Sequence, residues 1–169
     1  MHDMTITSTS KKILRSGLTS LWMTALVIFI DRLSKWWVLQ HLTFQEPMQV
    51  LPIFNLTLAY NKGAAFSFLH SASGWQHIFL GGLALVVSVI IVVWLCRLPK
   101  NAYWMNTALC LILGGALGNA WDRVLYRYVI DFLSFHWGNW YFAIFNIADS
   151  AICVGTSMII ISWMFAAKE

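Results

Sequence analysis

The chain has 169 residues, 59% of them apolar and 11% charged, with ten Trp, eleven Phe and a formal net charge of +4. Soluble domains carry about 25% charged residues, so this chain cannot clothe a water-soluble surface, and its mean hydropathy of +0.68 agrees. An ordinary cytosolic enzyme, a nucleic-acid-binding domain and a disordered chain are excluded; one membrane-embedded domain over residues 1–169 is expected, with aromatic residues at the bilayer interfaces.

The amino terminus is basic (Lys11, Lys12, Arg15), and residues 1–15 read as a cytoplasmic extension. The first apolar segment, Gly17–Ile30, is short of the ~20 residues a spanning helix needs. To cross, it must continue through Asp31 and Lys35. A cleaved signal peptide is the competing reading, but Ile30-Asp31-Arg32 is a poor cleavage site. Residues 41–74 follow as an extracytoplasmic stretch. In it Met48–Tyr60 is rich in β-branched and aromatic residues, is interrupted by Pro52 and is followed by Asn61-Lys62-Gly63. That pattern predicts short strands and a turn, a small sheet lying on the membrane.

The second segment, Ile78–Cys96, is free of charge. The Arg97–Asn101 connection is so short that the third segment, Ala102–Trp121, must run back beside it. Residues 123–142 form a second outer stretch, an aromatic loop. The fourth segment runs from about Ala143 to Ala167, and its only charge is Asp149. The expected fold class is an all-α membrane protein of four transmembrane helices, with a small extracytoplasmic β-sheet and an outer loop.

An even number of spans leaves both termini on one side. Lys11, Lys12, Arg15, Arg97, Lys100 and Lys168 mark that side as cytoplasmic. Asp31, Glu46, Asp122, Asp131 and Asp149 all fall towards the outer half. Acids contribute little to insertion, so their clustering points to function. The three cysteines sit in apolar stretches without ligand spacing, which argues against disulfides or a zinc site. The histidines show no HExxH pattern and no GxSxG occurs. Gly81-Gly82 and Gly114-Gly115 lie within spans and read as packing sites. No metal and no cofactor is expected.

An ionisable side chain within a span costs about 2.5–3.5 kcal/mol even on lenient scales, so each requires a reason. Asn146 and Asp149, three apart, share a helix face. If the helix begins near Ala143, Asp149 lies about 9–10 Å down it. Asn119, Asp122 and Arg123 crowd the outer end of the third segment, after Gly114 and Gly118, a small-xxx-small pair. Either they line a cavity or they cap a helix end. Asp131 is bracketed by Ile130, Phe132 and Leu133, as a semi-buried carboxyl would be.

Asp131 and Asp149 lie at the same end of the domain, and their spacing permits them to meet. Two such carboxyls in a poorly solvated site share a proton. That is the arrangement of an aspartic protease, in which one Asp activates water and the other polarises the amide carbonyl. A small proton-coupled transporter using the same acids as a relay is the alternative. A non-catalytic assembly factor is a third.

Five stretches carry a resemblance: Asp31-Arg-Leu-Ser-Lys35, Tyr60-Asn-Lys-Gly-Ala-Ala-Phe-Ser67, Gly118-Asn-Ala-Trp-Asp-Arg123, Val129-Ile-Asp-Phe132 and Phe145-Asn-Ile-Ala-Asp-Ser-Ala151. In this order, over roughly residues 18–165, the chain resembles lipoprotein signal peptidase (signal peptidase II), the bacterial membrane aspartic protease. No motif position departs from the family pattern. The resemblance implies cleavage of diacylglyceryl-modified prolipoproteins just before the lipidated cysteine, in the bacterial inner membrane, with the site towards its outer face. It implies Asp131 and Asp149 as the catalytic dyad. Asn61, Gly63, Asn119, Asp122, Arg123 and Asn146 would bind substrate or support the site, and Asp31 and Lys35 would form a structural pair. The partners implied are the lipidated substrate and membrane lipid, and the chain is expected to act as a monomer.

Overall fold

The computed structural model describes residues 15–63 and 75–166. The parts of the extension, the first outer stretch and the carboxyl terminus beyond them, including Ala64–Ser67 of one motif, lie outside the described residues.

A short 3-10 turn, Gly17–Ser20, leads into α1 (Leu21–His41). Strands β1 (Pro47–Leu51) and β2 (Phe54–Asn61) follow, then α2 (Gln76–Arg97) and α3 (Tyr103–Tyr126). Strands β3 (Val129–Trp137) and β4 (Trp140–Tyr141) precede the last helix, α4 (Ile147–Ala166). All four helices are long and apolar enough to cross a bilayer. Their backbone groups bond within each helix, as a lipid environment requires.

Helix α3 is the centre of the bundle. Of its most apolar window 61% is buried inside the protein, against 17–22% for the other three. Small residues explain this. A side chain at Gly114 would strike Val27 of α1, and one at Gly115 would fall on the Ala148 carbonyl of α4. A side chain at Gly118 would stand 3.0 Å from Asp31 Oδ2. Glycines at these places let three backbones approach closely. Leu109, Cys110 and Leu113 then pack against Ile91 and Leu95 of α2. The other faces of α2 present Ile78, Phe79, Leu83, Val86, Val89 and Ile90 outward, where lipid is their solvent. The three cysteines are free thiols.

At one end the amino-terminal turn is sewn to the α2–α3 connection: Gly17 N donates to Leu98 O, and Lys100 N to Arg15 O. At the other end the strands form one antiparallel meander, β1-β2-β3-β4. Val38 of α1 packs against Leu58, Ile130 and Phe132, fixing the sheet to the bundle.

Three expectations need correction. The small sheet expected beside the four helices is present, with four strands, so the label all-α is too narrow. Residues 123–142 are not one loop, because α3 continues through Arg123 to Tyr126, and Val129–Trp137 is a strand. Arg127 then takes a left-handed backbone (φ 66°) and turns the chain straight into β3. Finally, α4 starts at Ile147 rather than near Ala143. Asp149 therefore lies in its first turn, about 3 Å along the axis, and Asn146 precedes the helix.

Candidate active site

Four charged side chains form the foundation. Lys35 Nζ lies 3.0 Å from Asp31 Oδ2 and 2.7 Å from Asp122 Oδ2. Arg32 places Nη2 2.8 Å from Asp31 Oδ2 and Nη1 2.6 Å from Asp122 Oδ1. The Asp31–Lys35 pair expected one turn apart is thus half of a four-member cluster. It ties α1 to α3, with two cations balancing two anions; Asp31 and Asp122 are 0% exposed and Lys35 1%, while Arg32 reaches the surface with 24% of its side chain exposed.

Each acid has a second task. Asp31 Oδ1 accepts a hydrogen bond from Ala148 N at 3.1 Å. Asp122 Oδ2 accepts one from Ile130 N at 3.2 Å. The two amides belong to the residues immediately before Asp149 and Asp131. The cluster therefore clamps the backbone beside both acids.

Asp149 is held by a reciprocal cap. Asp149 N donates to Asn146 Oδ1 at 2.9 Å, and Asn146 N donates to Asp149 Oδ2 at 3.2 Å. This Asn-x-x-Asp arrangement is a capping box: two otherwise unpaired amides of a helix start are satisfied by each other's side chains. Asn119 Nδ2 adds a bond to Asp149 Oδ1 at 2.7 Å. Lys35 Nζ lies 3.3 Å from Asn119 Oδ1, which orients that amide.

Asp131 faces Ala59 in the β2–β3 register, and Asn61 faces Val129. Every second residue of a strand shares a face, so Asn61 and Asp131 lie side by side. Asn61 Nδ2 donates to Asp131 Oδ2 at 3.0 Å, while its carbonyl accepts from Gly63 N at 3.0 Å. Arg123 Nη2 donates to Gly63 O at 3.3 Å. Asn146 Nδ2 donates to Asp131 Oδ1 at 2.6 Å. One residue, Asn146, therefore touches both carboxyls, Asp131 through its side-chain amide and Asp149 through its backbone amide. The chain before α4 is docked by paired bonds between Phe145 and Leu133, which brings Asn146 to the strand.

Asp131 is 2% exposed. Burial, and then the charge of Asp149, push its carboxyl up to about 7, against the opposing pull of the Asn61 and Asn146 amides. A carboxyl raised in this way holds its proton longer folded than unfolded. Its contribution to stability falls as pH climbs from about 4 to about 7, by up to ~4 kcal/mol. In Asp131→Asn that slope should vanish. The variant's unfolding free energy should gain on the parent's between pH 4 and pH 8, measured by melting in detergent. A difference that does not change with pH would contradict it. The amide leaves one donor of Asn61 or Asn146 unmatched, a cost of about 1–3 kcal/mol at either pH.

Asp149 lines a cavity of about 480 Å³, and Asp131 stands behind its wall, hydrogen-bonded to the lining residue Asn61. Asn61, Asn119, Arg123, Asp149 and Ser150 supply its polar wall; Val129, Phe142, Ile144, Phe145 and Ile152 supply the apolar one. Gly63, Asp122 and Asn146 stand behind that wall and brace it. Asn119, Asp122 and Arg123, expected on one helix face, divide their work: Asn119 and Arg123 face the cavity and Asp122 faces α1.

The family described as signal peptidase (SPase) II matches residues 23–165. The chain belongs to the signal peptidase II family. It is 46% identical to the lipoprotein signal peptidase of Yersinia enterocolitica over 95% of both chains. The lipoprotein signal peptidase of Acinetobacter baylyi is 49% identical over 88% of this chain and 83% of its own. A bacterial membrane enzyme solved by the in meso method at 2.3 Å superposes with a TM-score of 0.79 and 30% identity, over 88% of this chain and 89% of that one. As a member of a peptidase family with four such helices, the chain fits a bacterial multi-pass membrane protease. Nothing among these relatives supports a transporter.

Sequence reasoning passed over Arg32. It lies between Asp31 and Lys35, and the rule that an ionisable group in a span needs a partner applied to it equally. Asn146 was recognised, but not its contact with both acids; Asn-x-x-Asp ahead of an apolar run was the available signal.

Proposed function

We propose that the chain is an intramembrane aspartic endopeptidase that removes the signal peptide from diacylglyceryl-modified prolipoproteins, cutting just before the lipidated cysteine. The observation that carries this reading is the contact of one residue, Asn146, with both carboxyls, Asp131 through its side-chain amide and Asp149 through its backbone amide, beside a largely apolar cavity that Asp149 lines. Membership of the signal peptidase II family supports it.

Asp149, lining the cavity, takes a proton from water as its oxygen attacks the scissile carbonyl carbon. Asp131, the acid raised to about 7, carries the proton that meets the developing oxyanion. The tetrahedral intermediate collapses as the C–N bond breaks and the amine takes a proton from the dyad. The products are a signal peptide ending in a carboxylate and a lipidated cysteine with a free amine. Asn61, Gly63, Asn119 and Arg123 hold the peptide, and the apolar wall limits bulk water. The chain works as a monomer in the inner membrane with both termini cytoplasmic and the site towards the outer face.

The test is incubation of purified protein with a prolipoprotein carrying the diacylglyceryl group and with its unmodified form. Release of the signal peptide from the lipidated form is expected. No release, or equal release from both, would overturn the assignment.

A further inference from the structure

The α2–α3 pair carries a groove of about 420 Å³ that, apart from Arg123, which also lines the active-site cavity, the peptidase reading leaves unused. Gly81, Gly82 and Leu85 of α2 line its apolar part; His77, Arg123 and Arg127 stand at its mouth, at the end of the bundle that holds the sheet. Gly81 and Gly82 were read as packing sites, but among the described residues a side chain at either would meet nothing within 4 Å. A glycine inside a helix costs about 1 kcal/mol relative to alanine. Two together on a helix that otherwise presents bulky residues to lipid leave a trough that none of the described residues fills.

The mouth is cationic. Among the described residues no acidic side chain lines the groove. Among the described residues Arg127 enters no ion pair, and Arg123 donates only to the backbone carbonyls of Asn119 and Gly63. From His77 to Leu85 is about 12 Å along the helix, the span from a lipid headgroup into its acyl region.

We propose that this groove binds one anionic phospholipid. Arg127 and His77 hold its phosphodiester with Arg123 behind them, and one acyl chain lies over Gly81 and Gly82 towards Leu85. Guanidinium groups match phosphate oxygens in geometry as well as charge. The diacylglyceryl group of a lipidated cysteine carries no phosphate, so the mouth is built for a different lipid from the substrate's. A zwitterionic headgroup would bring an ammonium among the cations.

The binding is measured without substrate and does not depend on the peptidase reading. Delipidated full-length protein in detergent is titrated with phosphatidylglycerol and with phosphatidylcholine, and bound lipid is counted by native mass spectrometry. One phosphatidylglycerol per chain is expected, bound about tenfold more tightly than phosphatidylcholine. The doubly substituted His77→Gln/Arg127→Gln protein should lose that preference. Gly82→Leu, which fills the trough at an exposed position, should weaken both lipids while keeping the charges; Gly82→Val serves if the leucine variant does not fold. Equal affinity for the two lipids, an unchanged preference in the double variant, or unchanged binding after filling the trough would each overturn the proposal. So would displacement of phosphatidylglycerol by a diacylglyceryl-cysteine peptide, because the groove would then belong to the substrate.

Discussion

Asp131→Asn and Asp149→Asn should each slow cleavage of a lipidated prolipoprotein by about 10³-fold or more, with the protein still folded and inserted. An amide neither takes a proton from water nor returns one to the leaving amine, so the acid–base step loses its carrier. The surroundings predict that the fold survives. At position 149 the single amide oxygen keeps either the Asn146 N or the Asn119 Nδ2 bond, and the backbone bond from residue 149 N to Asn146 Oδ1 still secures the helix start. At position 131 the Asn61 and Asn146 amides keep one acceptor between them. Single-turnover cleavage with a matched melting curve separates chemistry from stability. More than a tenth of parental activity in either variant would remove the dyad from the mechanism. A large fall in melting temperature in the variants, with no cleavage by the parent protein, would favour the assembly-factor reading.

Asp122→Ala should destabilise the protein by about 3–5 kcal/mol, the range for removing one partner from a buried ion pair. The loss leaves Arg32 and Lys35 with one carboxylate between them and strips the acceptor from Ile130 N. Activity should fall as well, because that amide precedes Asp131. Adding Lys35→Met should restore part of the stability, since the surplus charge goes with it. Chemical or thermal unfolding in detergent measures both. A loss under about 1 kcal/mol for the single variant would mean that water reaches the cluster.

Much of the architecture was legible in composition and spacing. Hydropathy located α2 within two residues at its start and one at its end, because nothing polar interrupts it. It ended α3 too early, at Trp121, because Asp122 and Arg123 look like a boundary when their partners are unseen. Asp122 is tolerated inside the helix since α1 supplies Arg32 and Lys35. It began α4 too early because Ala143 to Phe145 is as apolar as a helix, yet Phe145 is held extended against Leu133. The strand Val129–Trp137 was hidden because its first four residues are all buried, so the two-residue alternation of a half-exposed strand is missing. The approach of Asp131 to Asn146 and Asp149 depends on the β2–β3 register and on that docked segment, neither of which spacing alone can specify.

The charge cluster also constrains how the molecule is made. Helix α1 leaves the ribosome first, bearing one carboxylate against two cations, and the carboxylate that balances the excess arrives with α3 some 90 positions later. Until then a lone α1 at its final depth would expose an uncompensated cation to hydrocarbon. The nascent chain must therefore keep α1 shallow, or sheltered beside the insertion machinery, until α3 emerges. Synthesis halted before residue 122 should leave a species that carbonate extracts from the membrane more readily than the finished protein.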